Sequence, residues 1–302
     1  MIKSSIVFIH NKKSSYMAPV IEQAKLSNPN ADVFIISDII AKSFYEKSGI
    51  FIDINDHFEE AKDFEKIYVH MSPLSYGIEL IFLQRWFVLK SFMLKNSLNN
   101  VVYLDSDCML YHDVSNDWNL LENFDFANLD IIVPAVTYIP KPNSLIKFCN
   151  FLIEQYTINL ELIKARYISN FVNKNIYGGI GDMSQFSMFN EKYQSTFNLS
   201  RVLNNSTYDC CVNGSINSTQ YTESNPLSGD DLQGYLMDEK RGIKKLIMKD
   251  GIPHGILKLS KKEIKFKSIH FQGQTKKFIP YYFAGNFFKK LIFIRRFKKA
   301  KY

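Results

Sequence analysis

The chain has 302 residues, of which 46% are hydrophobic, and this is sufficient for one large globular domain with a full core. No stretch reaches the roughly 18 uncharged apolar residues of a membrane span, and the apolar N-terminal run is shorter than the about 7 to 15 residues of a signal-peptide core. The four cysteines show no CxxC spacing, so a cytoplasmic protein with reduced thiols is expected. The formal net charge of +7 comes entirely from residues 287–302, and the neutral remainder argues against a nucleic-acid-binding core.

The first elements in chain order predict a strand, a helix and a second strand. Residues 5–10 and 32–37 are short apolar runs rich in β-branched side chains, and residues 16–26 between them are typical of a helix. Short connections in this order indicate a βαβ unit and a parallel sheet. Further helices are expected at residues 40–47 and 56–64.

The longest predicted helix covers residues 74–98 and is apolar on nearly every face, so it should be buried on most sides. It leads into a predicted central strand at residues 101–104, which ends in Asp105-Ser106-Asp107. A further strand is expected at residues 131–133, stopped by Pro134, and a helix at residues 144–166.

The second half of the chain is less regular. A Gly-Gly-Ile-Gly-Asp turn at residues 178–182 precedes a predicted helix at residues 183–193. Residues 194–228 are polar and without periodicity, which is typical of a mobile loop that closes over a substrate. A helix at residues 230–240 and strands at 244–248 and 263–269 follow, before His270-Phe271-Gln272-Gly273. The predicted fold class is α/β, with a mostly parallel central sheet flanked by helices.

A basic, aromatic segment ends the chain. Bulky apolar residues alternate there with Lys289, Lys290, Arg295, Arg296, Lys298, Lys299 and Lys301, and no acid is present. This pattern predicts a tail, residues 278–302, that follows a domain of residues 1–277 and binds an anionic membrane surface at the inner face of the membrane. The alternative is a terminal helix that packs on the core and whose charges are only solvated.

Asp105 and Asp107 form the most informative motif. Alternate side chains of an extended chain share a face, so both carboxylates should point the same way from the carboxyl end of a strand, where open α/β sheets bind ligands. Two such carboxylates repel each other unless a cation lies between them, and oxygen ligands suit Mn²⁺ or Mg²⁺. The alternative is an ordinary Asp-rich turn after a strand.

The order of an apolar strand, Asp-x-Asp and a late His-x-x-Gly-x-x-Lys resembles the GT-A glycosyltransferases. His270, Gly273 and Lys276 are similar to the metal-histidine and diphosphate-lysine segment of family 8 members. The resemblance implies a GT-A fold, a metal site of Asp105, Asp107 and His270, and transfer of a sugar from a nucleotide diphosphate sugar. It implies UDP as the nucleotide, and a glycan or lipid-linked molecule as the acceptor. The physical properties agree, since imidazole is a competent Mn²⁺ ligand and an ammonium group attracts phosphate.

Other candidates are placed by topology or by charge. Arg85, within the buried helix, either forms an internal ion pair or reaches the donor phosphates or sugar. His10 with Asn11, and Asp38, follow the first two strands, where the nucleoside is expected.

Three acids are candidates for a catalytic base. Asp182 follows glycines that permit φ > 0 and a close approach of the sugar, and it either serves as the base of an inverting reaction or caps the next helix. Asp230 and Asp231 are the second choice of base. A retaining reaction, as in family 8, needs no such base.

Two other classes of protein fit part of the pattern. A haloacid-dehalogenase-type phosphatase also has Asp-x-Asp after an apolar strand, and Gly229-Asp230-Asp231 resembles its second acidic motif. This class expects Thr or Val where Met109 stands, and it leaves the late histidine and lysine unexplained. A non-catalytic module that binds a nucleotide sugar or glycan is the third class, because a fold does not fix a function.

Overall fold

The structure is a computed structural model that describes residues 3–11, 13–220 and 226–299. Its strands are, in chain order, β1 (Ser5–Ile9), β2 (Asp32–Ser37), β3 (Ile50–Asp53), β4 (Val101–Leu104), β5 (Cys108–Leu110), β6 (Phe126–Leu129), β7 (Val133–Ile139), β8 (Thr196–Asn198), β9 (Ser206–Tyr208), β10 (Met237–Asp238), β11 (Ile243–Lys244), β12 (Ile247–Lys249), β13 (Ile252–Ile256) and β14 (Glu263–His270). Its α-helices are α1 (Met17–Ser27), α2 (Lys42–Tyr45), α3 (Glu59–Ile67), α4 (Tyr76–Lys95), α5 (Pro142–Tyr156), α6 (Leu160–Tyr167), α7 (Asp182–Tyr193), α8 (Ile279–Tyr282) and α9 (Phe287–Lys299).

The central sheet has seven strands in the order β3-β2-β1-β4-β7-β6-β8. The first four are mutually parallel, β7 runs antiparallel to both β4 and β6, and β8 is parallel to β6. A second sheet has the order β12-β13-β14-β5, with β9 beside β14. The predicted α/β class, with a largely parallel central sheet flanked by helices, is confirmed.

Each face of the central sheet packs against its own hydrophobic core. Ile6 and Phe8 of β1 belong to one core, and Val7 between them belongs to the other, as the alternation of side chains along a strand requires. The predicted buried helix is α4, which packs against α3 and α5 and buries Trp86 completely. Its apolar character on all sides follows from these contacts.

Several predicted elements differ from the structure. Strand β7 continues through Pro134 and is not stopped by it, because the pairing of β7 with β6 shifts between Asn128 and Leu129, and a proline is tolerated beside such an irregularity. The predicted helix at residues 144–166 is divided into α5 and α6. The predicted helix at residues 230–240 is wrong, since this segment forms turns and β10. The predicted strand at residues 244–248 is divided between β11 and β12.

The polar segment at residues 194–228 is mostly irregular in the part that the structure describes, but it includes two short strands, β8 and β9. The Asp130 carboxylate accepts hydrogen bonds from Thr219 N, Thr219 Oγ1 and Gln220 N, at distances of 2.6 to 2.8 Å. Asn217 is buried and donates to Tyr208 O at 2.8 Å. Internal hydrogen bonds therefore tie residues 196–220 to the rest of the fold, and closure of this segment over a substrate stays a prediction. Residues 221–225 of the predicted loop lie outside the described residues.

The basic segment at the C-terminus forms α9, which packs on α1 and α8. Phe293 is buried, and its ring contacts that of Phe283 at 5.1 Å. Phe287 and Phe288 at the start of α9 are 67% and 74% exposed. Across residues 3–11, 13–220 and 226–299, no helix combines the length and the apolar character needed to cross a membrane.

Candidate active site

The two sheets meet at the Asp-x-Asp motif. Asp105 follows the end of β4 in the central sheet, and Asp107 precedes β5 in the second sheet. Strand β5 pairs antiparallel with β14, so Cys108 lies opposite His270, and Phe271 N donates to Asp107 O at 2.9 Å. This pairing brings together Asp107 and His270, which are far apart in sequence.

His270 is oriented towards Asp107. Its Nδ1 lies 2.7 Å from the Cys210 carbonyl oxygen, and a carbonyl only accepts, so Nδ1 carries the proton. The other nitrogen, Nε2, lies 3.6 Å from Asp107 Oδ1 and has its lone pair available for a metal ion. Asp209 Oδ2 also accepts from His270 N at 3.1 Å and fixes the backbone.

This arrangement fits a divalent cation. The potential ligand atoms of Asp107, Cys108 and His270 all lie within 4.8 Å of one another. A carboxylate oxygen and a neutral imidazole suit Mn²⁺. Burial raises the pKa of the Cys108 thiol well above its usual range, with a further contribution from Asp107. Asp107 and His270 are the two predicted ligands that the structure brings together, with the Cys108 thiol beside them.

Lys276 completes this cluster. Its Nζ lies 3.0 Å from Asp107 Oδ2 and 5.2 Å from the centroid of the Tyr16 ring. Burial would lower the pKa of Lys276, but Asp107 and Tyr16 outweigh this effect and raise it, so the ammonium stays charged. The turn that carries Lys276 begins at Gly273, whose φ of +56° lies in the left-handed region that favours glycine.

Asp105 has a separate cationic partner, Arg85, which is buried in α4. Arg85 Nη1 donates to Asp105 Oδ1 at 2.7 Å and to the Tyr103 hydroxyl at 2.8 Å, and Nη2 forms an ion pair with Asp182. Tyr103 in turn donates to Asp105 Oδ1 at 2.6 Å. Arg85 is therefore the cationic partner of Asp105, as Lys276 is of Asp107. Asp105 is not in the cluster of Asp107 and His270, although 28% of its side chain is exposed.

Asp182 has both carboxylate oxygens engaged. Oδ2 pairs with Arg85, and Oδ1 accepts from Met183 N at 2.8 Å at the start of α7. Burial raises the pKa of Asp182 to about 6, because its desolvation outweighs the opposing effect of Arg85. Asp182 is the first residue of α7 and not its N-cap, so the predicted capping role is wrong, and its main partner is Arg85.

The glycines before Asp182 serve close packing. None of Gly178, Gly179 and Gly181 has a positive φ, so the prediction that they permit φ > 0 is wrong. A Cβ on Gly179 would lie 2.4 Å from Met71 O, and one on Gly181 would lie 1.9 Å from Glu79 Oε1. The chain therefore passes directly against the segment that leads into α4, and this contact requires glycine.

The residues after β1 and β2 lie at the expected edge of the sheet. His10 Nε2 is 2.8 Å from Ser14 Oγ, and the His10 ring packs at 6.3 Å from Tyr16, which contacts Lys276. Asn11 is exposed. Asp38 accepts from Ile40 N at 2.9 Å and caps a turn of 3-10 helix.

Asp230 and Asp231 are not brought to this cluster. Asp230 pairs at 2.6 Å with Lys262, which precedes β14. His270 is the last residue of that eight-residue strand, whose ends lie roughly 23 Å apart at about 3.3 Å per residue. Asp231 is buried and accepts from Val202 N at 2.5 Å and Ser228 N at 2.6 Å, so it holds its own loop.

Two residues of the site were not predicted from the sequence. Tyr103 lies two positions before Asp105 on the same strand face, so the alternation of side chains could have indicated it. Tyr16 reaches Lys276 from the start of α1, across a large separation in sequence, and no local pattern indicates this contact.

Comparison with known proteins gives a likeness of fold. No family model matches the sequence, and no curated protein matches it significantly. The crystal structure of mouse xyloside xylosyltransferase 1 in its apo form aligns with a TM-score of 0.50 at 10% sequence identity, over 68% of this chain and 88% of that chain.

Weaker likenesses include the glycosyltransferase GlyE of Streptococcus pneumoniae TIGR4, with a TM-score of 0.39 at 15% identity over 64% of this chain and 44% of GlyE. The galactosyltransferase LgtC in complex with donor and acceptor sugar analogs has a TM-score of 0.36 at 13% identity, over 64% of this chain and 72% of that one. The alignment therefore spans less than half of GlyE. On the likeness to the mouse enzyme, the chain has the GT-A fold of nucleotide-sugar glycosyltransferases, as its motifs predicted.

Proposed function

We propose that this protein is a metal-dependent glycosyltransferase that moves a sugar from a UDP-sugar to a hydroxyl of a glycan or lipid-linked acceptor. The observation that carries this proposal is the convergence of Asp107 with His270 and Lys276, from two segments far apart in sequence, on one cluster. A carboxylate and an imidazole nitrogen suit Mn²⁺ or Mg²⁺, and an adjacent ammonium suits a diphosphate. The choice of uridine rests on the sequence resemblance alone.

Asp107 and His270 would hold the divalent ion, with Asp105 beside them. When bound, the ion supplies positive charge that stabilises the leaving nucleoside diphosphate. Lys276 shares this task, because its charged Nζ lies next to Asp107 and can contact phosphate oxygens. The Cys210 carbonyl accepts a hydrogen bond from Nδ1 of His270, so the lone pair of Nε2 is available to bind the ion.

We propose that Arg85 acts as a positioning residue and not as a phosphate ligand. Its guanidinium is used by Asp105, Asp182 and the Tyr103 hydroxyl inside the protein. This network fixes the Asp105 carboxylate at the edge of the site. Since the oxygens of Asp182 are engaged and Asp230 lies at the far end of β14, the geometry favours a retaining reaction, which needs no protein base of this kind.

A donor screen tests the proposed function. With Mn²⁺ present, slow hydrolysis of at least one UDP-sugar is expected, with loss of turnover in EDTA and recovery when Mn²⁺ is added in excess. Release of phosphate from monoesters without turnover of any nucleotide sugar would instead support the phosphatase class. Tight binding of a nucleotide sugar, with no turnover, would support the non-catalytic module.

We also propose that α9 binds an anionic membrane surface. The helix docks through Phe293, while Phe287, Phe288 and several cations remain exposed on it. Exposed aromatic side chains beside basic ones are typical of helices that lie in the membrane interface. Each lysine or arginine near such a surface contributes about 1 kcal/mol, which sums to reversible binding.

Replacing both Phe287 and Phe288 by Ser is expected to abolish co-sedimentation with anionic vesicles at low salt. The free energy of unfolding should stay within about 0.5 kcal/mol of the wild-type value, because both side chains are exposed. Ile158→Ser with Leu162→Ser is the matched control, since these residues are 83% and 70% exposed near α6. Equal loss of vesicle binding in the control, or no sedimentation of the wild-type protein, contradicts the proposal.

A further inference from the structure

A cavity of about 590 Å³ lies where α8 and the end of α9 meet the turn of residues 273–278 and the strands β11 and β12. Its volume falls within the range of small-molecule sites, about 300 to 1,000 Å³. Apolar side chains line it, among them Leu246, Met248, Phe278 and Phe297. The site proposed for sugar transfer uses none of these residues.

Three cations also line the cavity, and no carboxylate among the described residues does. They are Arg241, Lys277 and Lys298. Within the described part of the chain, neither Lys277 nor Lys298 forms an ion pair, and Lys277 lies 5.1 Å from the centroid of the Phe278 ring. Arg241 Nε lies 3.6 Å from Asp238 Oδ2. Because the Arg241 side chain is 58% exposed, this ion pair is weak. The cavity therefore combines an apolar interior with positive charge that no acid lining it neutralises.

We propose that this cavity binds a single amphiphilic phosphate, with an apolar chain against Leu246, Met248 and Phe297 and a phosphate among the three cations. Ammonium and guanidinium groups are the side chains that bind phosphate, and aromatic and aliphatic groups bury the chain. The site is distinct from the exposed start of α9, where Phe287 and Phe288 lie. Binding here requires neither a nucleotide sugar nor a metal ion, so its test is independent of the test of sugar transfer.

The neighbouring residue in the same turn, Lys276, contacts Asp107 in the proposed active site. A phosphate bound by Lys277 would thus contact the residue that directly follows Lys276. Two sources share this ligand chemistry, namely a membrane phospholipid and the isoprenoid phosphate of a lipid-linked acceptor.

Dodecyl phosphate, used below its micellar concentration, is the probe for this site. Isothermal titration calorimetry should show saturable binding with one molecule per chain. Dodecyl maltoside, which is neutral, and dodecyltrimethylammonium, which is cationic, should bind at least about tenfold more weakly, because they lack the charge that the cations attract. Dihexanoyl phosphatidate then represents a membrane phospholipid, and farnesyl phosphate represents an isoprenoid phosphate. The compound that binds more tightly identifies the source.

Paired variants locate the binding site. Lys277→Gln with Lys298→Gln is expected to weaken dodecyl phosphate binding at least about tenfold, because it removes two of the three cations that attract the phosphate. Met248→Trp should abolish binding by filling the cavity, and thermal unfolding checks that it folds. Lys299→Gln removes a charge from the same helix outside the cavity and should bind like the wild-type protein. Equal binding of the neutral, cationic and anionic probes, or unchanged affinity in the lysine variant, overturns the proposal.

Discussion

Asp107→Asn and His270→Ala are each expected to lower metal-dependent turnover of the donor sugar by at least about 100-fold, because each removes a direct ligand of the ion. Asparagine keeps the shape of Asp107 and the hydrogen bond from Phe271 N to its backbone oxygen. In His270→Ala the backbone hydrogen bond from residue 270 to Asp209 remains, although the ring contact with Cys210 is lost. Both variants should therefore fold.

Two measurements distinguish loss of the ion from a general defect. Titration with Mn²⁺ should show weaker ion binding in both variants, and far-UV circular dichroism should match that of the wild-type protein. Asp63→Asn is the control, since Asp63 is an exposed carboxylate that pairs with Lys66. Full turnover in EDTA, or wild-type affinity for Mn²⁺ in both variants, is incompatible with the proposed site.

The parallel half of the central sheet was predictable because its strands are buried on both faces. Strands β1, β2 and β4 read as continuous apolar runs, and the helices between them are amphipathic or fully apolar. Strand β4 also ends in Asp105, so the edge of the sheet where a ligand binds was visible in the sequence. These are local signals, carried by a few consecutive residues.

Other elements depend on contacts that no local pattern reports. Residues 230–240 resemble a helix, but Asp231 accepts from the backbone of Val202 and Ser228 and fixes a loop instead. The short strands β8 and β9 gain their pairing from distant partners, β6 and β14, and Asp130 binds Thr219 and Gln220 from across the fold. Long-range hydrogen bonding therefore decided the structure where the sequence analysis was wrong.

Within the candidate site, the resemblance implied a metal site of Asp105, Asp107 and His270, and the pairing of β5 with β14 brings Asp107 and His270 together. The arginine network could be anticipated only in part. A buried cation in α4 requires a partner, but nothing near Arg85 in sequence identifies Asp182, which lies 97 residues away. The ion-pair partner of each carboxylate is therefore set by contacts between distant segments and could not be predicted from the local sequence.

Arg85→Ala is expected to destabilise the protein by about 3 to 5 kcal/mol, because it leaves the buried Asp182 carboxylate without its counter-charge. Arg85→Lys should recover only part of this loss, since one ammonium group cannot replace a planar fork that binds Asp105, Asp182 and the Tyr103 hydroxyl together. Arg166→Ala is the control. Its guanidinium pairs with Glu191 at 2.9 Å but is 40% exposed, so a loss below about 1 kcal/mol is expected.

The destabilisation by Arg85→Ala should depend on pH in a direction that identifies Asp182 as its cause. In the wild-type protein burial already raises the pKa of Asp182 to about 6, and removing Arg85 takes away an effect that lowers it. A carboxyl whose pKa is higher in the folded than in the unfolded state costs stability as the pH rises through the folded value. Denaturant unfolding of Arg85→Ala should therefore show a larger loss at pH 8 than at pH 5. Adding Asp182→Asn should restore part of the loss at pH 8, because the unpaired charge is then absent. An equal loss at both pH values, or no recovery in the double variant, would mean that Asp182 is not the group that Arg85 stabilises.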